Sequence, residues 1–262
     1  MDSTTLKAKP LSLAKFISKT WEIIKISWLN SLIVMLFILG LVIITIIVLA
    51  LAWKILLVLN LIQLSYIWTF RMLWQFLTAL ILFIISVLAQ FLLINSLLNP
   101  RIKLKKNLKS MKQVLWHFLC LTLILNLIFL LASLPLYISI FLLLLNNLVL
   151  GIISFIVGVV LILFLGSYLI FSPFILIEKK ISFFEAIKKS FILAEGNFSN
   201  IFLKILILGL ILLILNGLSL LVMLAPIIIR AILNGVIIVI MILTGFAYLF
   251  AIYQDFKSIK NL

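Results

Sequence analysis

Long apolar runs alternate with short lysine-rich stretches along the chain. The runs fall at about Trp28–Trp53, Met72–Leu98, Val114–Leu136, Val149–Ile177, Ile201–Leu224 and Ala231–Tyr253. Each exceeds the roughly 20 apolar residues that carry a helix across bilayer hydrocarbon. The pattern predicts an all-α, polytopic membrane protein of about six transmembrane helices in three hairpins, with residues 28–253 as the membrane domain. Pro135, which removes a helix donor, is expected to bend or end the third run, and the fifth run ends at Pro226. The connection Tyr137–Leu148 carries no charge.

Lys54–Arg71 is also apolar, and its pattern alone leaves it open. It suits a further helix, a continuation of its neighbours, or an interfacial segment, since Tyr66 and Trp68 are residue types that favour membrane interfaces.

Two shorter segments have helical periodicity of their own. In residues 11–27, Leu13, Phe16, Ile17, Thr20 and Ile24 fall on one side, and Lys15, Ser18, Lys19, Glu22 and Lys25 on the other. Such a helix suits the headgroup plane, the alternative being the first span extended by a turn or two. In residues 182–195, Ser182 and Glu185 form a capping-box pattern, and Gly196 suits a left-handed cap. Phe184, Ile187, Phe191 and Ala194 would share one face. Residues 1–27 and 254–262 are expected to lie outside the membrane domain, as an N-terminal segment with its interfacial helix and as a polar tail.

Composition sharpens the class. The chain has 262 residues and is 67% hydrophobic, with mean hydropathy +1.47, against about 45–50% apolar residues in soluble domains. That length suits one membrane domain and is too short to add a soluble catalytic domain. Lys and Arg number 21, Asp and Glu 6, for a net charge of +15. In a soluble protein this would point to nucleic acid. In a membrane protein it marks the loops kept in the cytoplasm, so no nucleic-acid partner is expected.

Lys7, Lys9, Lys15, Lys19 and Lys25 precede the first span, and Arg101, Lys103, Lys105, Lys106, Lys109 and Lys112 lie between the second and third. Lys179, Lys180, Lys188, Lys189 and Lys204 surround the start of the fifth, and Lys257 and Lys260 follow the sixth. These are 18 of the 21 basic residues, with only Lys54, Arg71 and Arg230 opposite. The split predicts an even number of crossings in the cell membrane, with N- and C-termini cytoplasmic. The N-terminus does not read as a secretory signal, since its first apolar run is too long and has no small-residue cleavage site. Cys120 is the only cysteine, so no intrachain disulfide forms.

Residues 11–30 align without gaps on residues 181–200, matching Ser12 with Ser182, Ile17 with Ile187, Lys19 with Lys189, Thr20 with Ser190, Trp21 with Phe191, Trp28 with Phe198 and Asn30 with Asn200. The alignment predicts a repeated unit of interfacial helix plus hairpin. Within the second copy and the span before it, Pro173, Glu178, Ser182, Ala186, Lys189, Ser190 and Gly196 make a pattern. It resembles the signature of the membrane domain fused to some glycerophosphodiester phosphodiesterases, and of its stand-alone multi-pass prokaryotic relatives. The resemblance implies a membrane fold. It does not carry over phosphodiesterase activity, which in the fused enzymes belongs to a soluble barrel.

No catalytic constellation stands out. His117 and Cys120 sit three apart and can share a helix face, but no other His or Cys exists to complete a metal site. Glu178 lies nearest the membrane and is followed by two lysines, which favours an interfacial ion pair. No glycine-rich phosphate loop occurs. Gln75, Gln90, Asn95, Asn126, Ser133, Ser154, Ser167, Asn216, Asn234 and Thr244 lie in the spans. They either bond between helices or line a polar path. Gly151, Gly158 and Gly166 permit close helix packing. The glycosylation sequon Asn197-Phe-Ser199 falls on the side expected to be cytoplasmic, where it goes unused.

Arg101, Lys103, Lys105, Lys106, Lys109 and Lys112 are candidate contacts for anionic lipid, each contributing about 1 kcal/mol near such a surface. The sequence thus points to a non-enzymatic protein of the cytoplasmic membrane, accessory or scaffold in envelope or lipid physiology. A transporter subunit or permease-like protein for a small or amphipathic solute is the alternative. No cofactor is expected. The expected partners are the bilayer, anionic lipids, and another membrane protein or a second copy of the chain.

Overall fold

The computed structural model describes residues 11–58, 67–222 and 226–260. Among these residues the chain forms nine helices and no strand: α1 (Leu13–Val58), α2 (Ile67–Leu98), α3 (Leu104–Met111), α4 (Leu115–Leu144), α5 (Leu148–Leu169), α6 (Ser172–Lys179), α7 (Phe183–Ala194), α8 (Phe198–Val222) and α9 (Ile227–Lys260). Six stretches are long and apolar enough to cross a membrane: Ala14–Lys54, Arg71–Leu98, Leu115–Leu144, Leu148–Lys179, Phe198–Leu220 and Leu233–Ile259. The protein is a multi-pass, all-helical membrane protein.

Several boundaries differ from the sequence reading. Residues 13–27 do not form a separate interfacial helix but are the first turns of α1, which continues unbroken for 46 residues. No Gly or Pro occurs between Leu13 and Gly40 to stop it. The stretch Lys54–Arg71 is shortened from both sides, with Lys54–Val58 ending α1 and Ile67–Arg71 beginning α2. Tyr66 lies outside the described residues, as do Lys7 and Lys9.

Pro135 does not end the third span, since α4 runs through it to Leu144. Pro135 cannot donate to Leu131 O, yet the helix holds its course; beside it Ser154 Oγ of α5 donates to Pro135 O at 2.7 Å and bonds α5 to α4. The connection then needs only Leu145–Asn147, with Asn146 left-handed at φ 58. The expected polar tail from residue 254 is also helical: α9 continues to Lys260, with Asp255 and Phe256 buried.

Packing is concentrated at the end of the bundle that carries the basic segments. The core joins Phe16, Phe91, Phe118, Phe171, Phe174, Tyr253 and Phe256, contributed by α1, α2, α4, α6 and α9 with the turn before α6. Farther along, residues 35–54 of α1, 71–84 of α2 and 209–220 of α8 contain no buried side chain. There the surface is apolar and faces outward, as lipid contact requires. Among the described residues serine hydroxyls bond across each hairpin: Ser31 with Ser96 at 3.2 Å, Ser154 with Pro135 O, and Ser219 with Asn234 Oδ1 at 2.9 Å. Gly151 and Gly158 face Leu143 and Leu136 of α4, where a Cβ would approach within 2.8 and 2.7 Å. Gly166 has no such constraint, its nearest neighbour being Phe129 at 4.0 Å.

Candidate functional site

All the chemistry-bearing side chains of note gather at the basic end, in three neighbouring arrangements. The first is a buried ion pair. Lys204, two turns into α8, donates to Asp255 Oδ2 of α9 at 2.5 Å, with side chains only 7% and 4% exposed. The ammonium lies 4.4 Å from the ring centre of Phe16 and 4.9 Å from that of Phe256. Cation–π attraction from both rings offsets part of its desolvation. Both Asp255 oxygens also receive the Leu11 amide, at 3.3 and 3.4 Å. One carboxylate therefore ties the start of α1 to α8 and α9. Phe16 packs edge-on against Tyr248 of α9, with ring centres 4.9 Å apart. Phe16 and Thr20 of the predicted apolar face thus meet protein rather than headgroups, whereas Ile17, expected beside them, is more than half exposed, as is Trp21.

The second arrangement is the joint of α5, α6 and α7, where the family-like motif lies. Pro173 follows the break after α5 and offers no N–H to Leu169 O four residues earlier. Ser172 Oγ fills that place at 2.6 Å. Ser190 Oγ of α7 donates to the adjacent carbonyl, Tyr168 O, also at 2.6 Å. Two hydroxyls thus satisfy the frayed end of α5. Ser182 caps α7 by accepting the Glu185 amide at 3.4 Å, and Gly196 is left-handed at φ 78, so the predicted start and stop of α7 are both present.

Its predicted face is corrected. Ala186, Ser190, Leu193 and Ala194 are buried, while Phe184 is 70% exposed. These residues are the face that α7 packs against its neighbours in the core. Phe191 instead stacks on Tyr168, which also stacks on Phe198, at 5.0 and 5.6 Å. Glu178, at the end of α6, accepts from Lys257 Nζ at 2.6 Å and from the Tyr253 hydroxyl. The predicted interfacial ion pair exists, but with Lys257 rather than with the neighbouring lysines. Lys189 borders a small cavity with Lys179 and Lys257.

The third arrangement is a cleft of about 980 Å³ where the end of α2, the turn into α3 and the end of α6 meet. Arg101, Lys103, Lys106 and Lys180 line it. A network of asparagines fixes α3 against α2: Asn95 Nδ2 donates to Asn107 Oδ1 at 2.6 Å and to Ser110 Oγ at 3.1 Å, and Asn107 Nδ2 donates to Leu92 O at 3.1 Å. Asn30 of α1 donates to Pro100 O, anchoring the turn itself. Of the six candidate lipid contacts, Arg101, Lys103 and Lys106 are brought together, whereas Lys105 and Lys109 on α3, and Lys112 just after it, are exposed outside the cleft. Lys180 joins them from the left-handed residue that ends α6 (φ 51), its Nζ donating to Gln113 Oε1 at 3.0 Å.

His117 and Cys120 lie on α4; His117 Nδ1 is buried without a hydrogen-bond partner, and Cys120 is a half-buried free thiol. Among the described residues no three His, Cys, Asp or Glu side chains come together as a metal group. The polar span residues bond mostly within their own helix. Asn126 donates to Thr122 O, Ser133 to Leu130 O, Ser167 to Leu163 O and Gln90 to Ser86. Only Asn95, Ser154 and Asn234, of the ten named from the sequence, bond to another helix in the contacts described.

Lys204 and Asp255 were not paired from the sequence, being 51 residues apart. The available signal was a lysine inside an apolar run, which is costly unless partnered. Comparison with family models, with curated proteins and with solved structures finds no match to this chain.

Proposed function

We propose that this protein is a non-enzymatic component of the cytoplasmic membrane, an accessory or scaffold in envelope or lipid physiology, with its basic end toward the cytoplasm. The observation that carries this reading is how charge and polarity are distributed. Buried charge is spent on holding the helices together, as Lys204 with Asp255 illustrates. Free positive charge lies outside that core, on the exposed lysines of α3 and in the cleft beside it. Most polar span residues bond back to their own helix or across one hairpin, which favours a static membrane body over a solute path. The excess of Lys and Arg at this end supports the cytoplasmic orientation. The resemblance of residues 173–196 to the membrane domain fused to some glycerophosphodiester phosphodiesterases supports envelope or lipid physiology as the setting.

The test is reconstitution of the pure protein into liposomes loaded with ions, sugars, amino acids and a fluorescent amphiphile. The accessory reading expects permeability equal to that of protein-free liposomes, together with recovery of a membrane partner after crosslinking in cells. Gradient-dependent flux of any of these solutes overturns it in favour of transport.

A further inference from the structure

We propose that the cleft between α2, α3 and α6 binds a phosphate-bearing anion, and that this anion is the headgroup of an anionic phospholipid. The proposal deepens the reading above and rests on it for placing the basic end beside a lipid leaflet. Four cations line the cleft, against one carboxylate, Glu178. That carboxylate is already engaged by Lys257 and Tyr253. Among the described residues no acid pairs with Arg101, Lys103 or Lys106. Uncompensated like charges held side by side create a positive potential that an anion relieves. Arg101 supplies a planar guanidinium able to grip two phosphate oxygens, and the lysines add mobile point charges.

The cations are also held in place. Asn95, Asn107 and Ser110 pin α3 to α2 through side-chain bonds, so the positions of Lys103 and Lys106 are set before any ligand arrives. Lys180 is fixed from a different helix by its bond to Gln113. The cleft volume falls within the range of small-ligand sites, about 300–1,000 Å³.

Apolar walls argue for a lipid over a free anion. Ile26, Leu98 and Ile177 line the same cleft as the cations. Ile33, two turns after Ile26 and so on the same face of α1, lines an adjoining cavity of about 240 Å³. The two spaces share Ile102 and Lys103. A phosphate resting on Arg101, Lys103, Lys106 and Lys180 would thus place its acyl chain along Ile26 and Ile33, pointing into the span.

Native mass spectrometry of the full chain in detergent tests this, with phosphatidylglycerol, phosphatidylcholine and inorganic phosphate as separate probes. Retention of phosphatidylglycerol at concentrations about 10-fold below those needed for phosphatidylcholine is expected. Since each cation near an anionic surface strengthens binding roughly fivefold, R101Q/K103Q/K106Q should weaken phosphatidylglycerol binding by about 100-fold. K180Q, a single change on another helix, should weaken it about fivefold. K105Q/K109Q/K112Q removes the same charge outside the cleft and should change binding by about twofold or less.

Equal losses from the two triple variants, or equal retention of the two lipids, would overturn the site in favour of diffuse surface attraction. Displacement of phosphatidylglycerol by an equal concentration of inorganic phosphate would overturn the lipid assignment. Solute flux in liposomes with the lipid preference intact would overturn the accessory reading alone.

Discussion

Lys204 and Asp255 close an ion pair with both side chains buried, and Asp255 also receives the backbone amide of Leu11. Removing either charge strands the other. Lys204→Met and Asp255→Asn should therefore each cost about 3–5 kcal/mol, the usual penalty for breaking a buried pair. The double variant Lys204→Met with Asp255→Asn should recover most of that loss, because no buried charge remains. Thermal unfolding in detergent, read as a double-mutant cycle, measures this. Additive losses would show that the two residues do not depend on each other.

The break between α5 and α6 makes a second cycle. Ser172 Oγ serves Leu169 O because Pro173 cannot. Ser172→Ala should cost about 1 kcal/mol in the native sequence. In a Pro173→Ala background the restored amide can serve the carbonyl, and the same serine substitution should cost almost nothing. Chemical unfolding of the four proteins gives the coupling directly.

Gly158 and Gly209 should respond in opposite directions to alanine. A methyl at Gly158 would meet Leu136 Cγ at 2.7 Å and its backbone N at 3.0 Å, so α4 and α5 must part, at about 1–3 kcal/mol. Gly209 has open space around it, and alanine there should gain about 0.5–1 kcal/mol through helix propensity. Melting temperatures of the two variants decide the point.

Single cysteines test the orientation. In a Cys120→Ser background, cysteines replacing Lys105 and Glu185 should react with a membrane-impermeant maleimide only after the cytoplasmic side is opened. A cysteine at Asn146 should react from outside in intact cells. Labelling of Asn146 and Lys105 from the same side would reject the six-span arrangement.

The spans were legible because twenty or more apolar residues have few other fates. Ser182 and Gly196 were legible because capping is local: each acts on backbone within four residues. The burial face of α7 was not, because which of Phe184 and Ala186 turns inward is decided by packing against other helices, which periodicity within α7 does not report. The α2–α3 cleft was half legible. Arg101, Lys103 and Lys106 are neighbours in the chain, whereas Lys180 reaches them only through the packing of α6.

The repeat was also half legible. Phe16 and Ala186, and Thr20 and Ser190, are buried at matching positions. The copies diverge where Gly196 stands against Ile26: the glycine adopts φ 78 and separates α7 from α8, while α1 continues. The matching aromatics diverge too. Phe191 and Phe198 stack on Tyr168, but Trp21 and Trp28 are exposed.

The role of α9 bears on biogenesis. Its last turns hold the acid for Lys204, the ring for Phe16, and the lysine and hydroxyl for Glu178. Yet α9 leaves the ribosome after the other eight helices, so the earlier hairpins insert before their shared packing partner exists. Lys204 and Glu178 must then wait at the membrane surface, hydrated, until α9 arrives. The contact between Leu11 and Asp255 spans 244 residues and can form only after α9 has been made. Contacts of such sequence separation form slowly. Assembly of the basic end is thus a single late event that converts inserted hairpins into a folded protein.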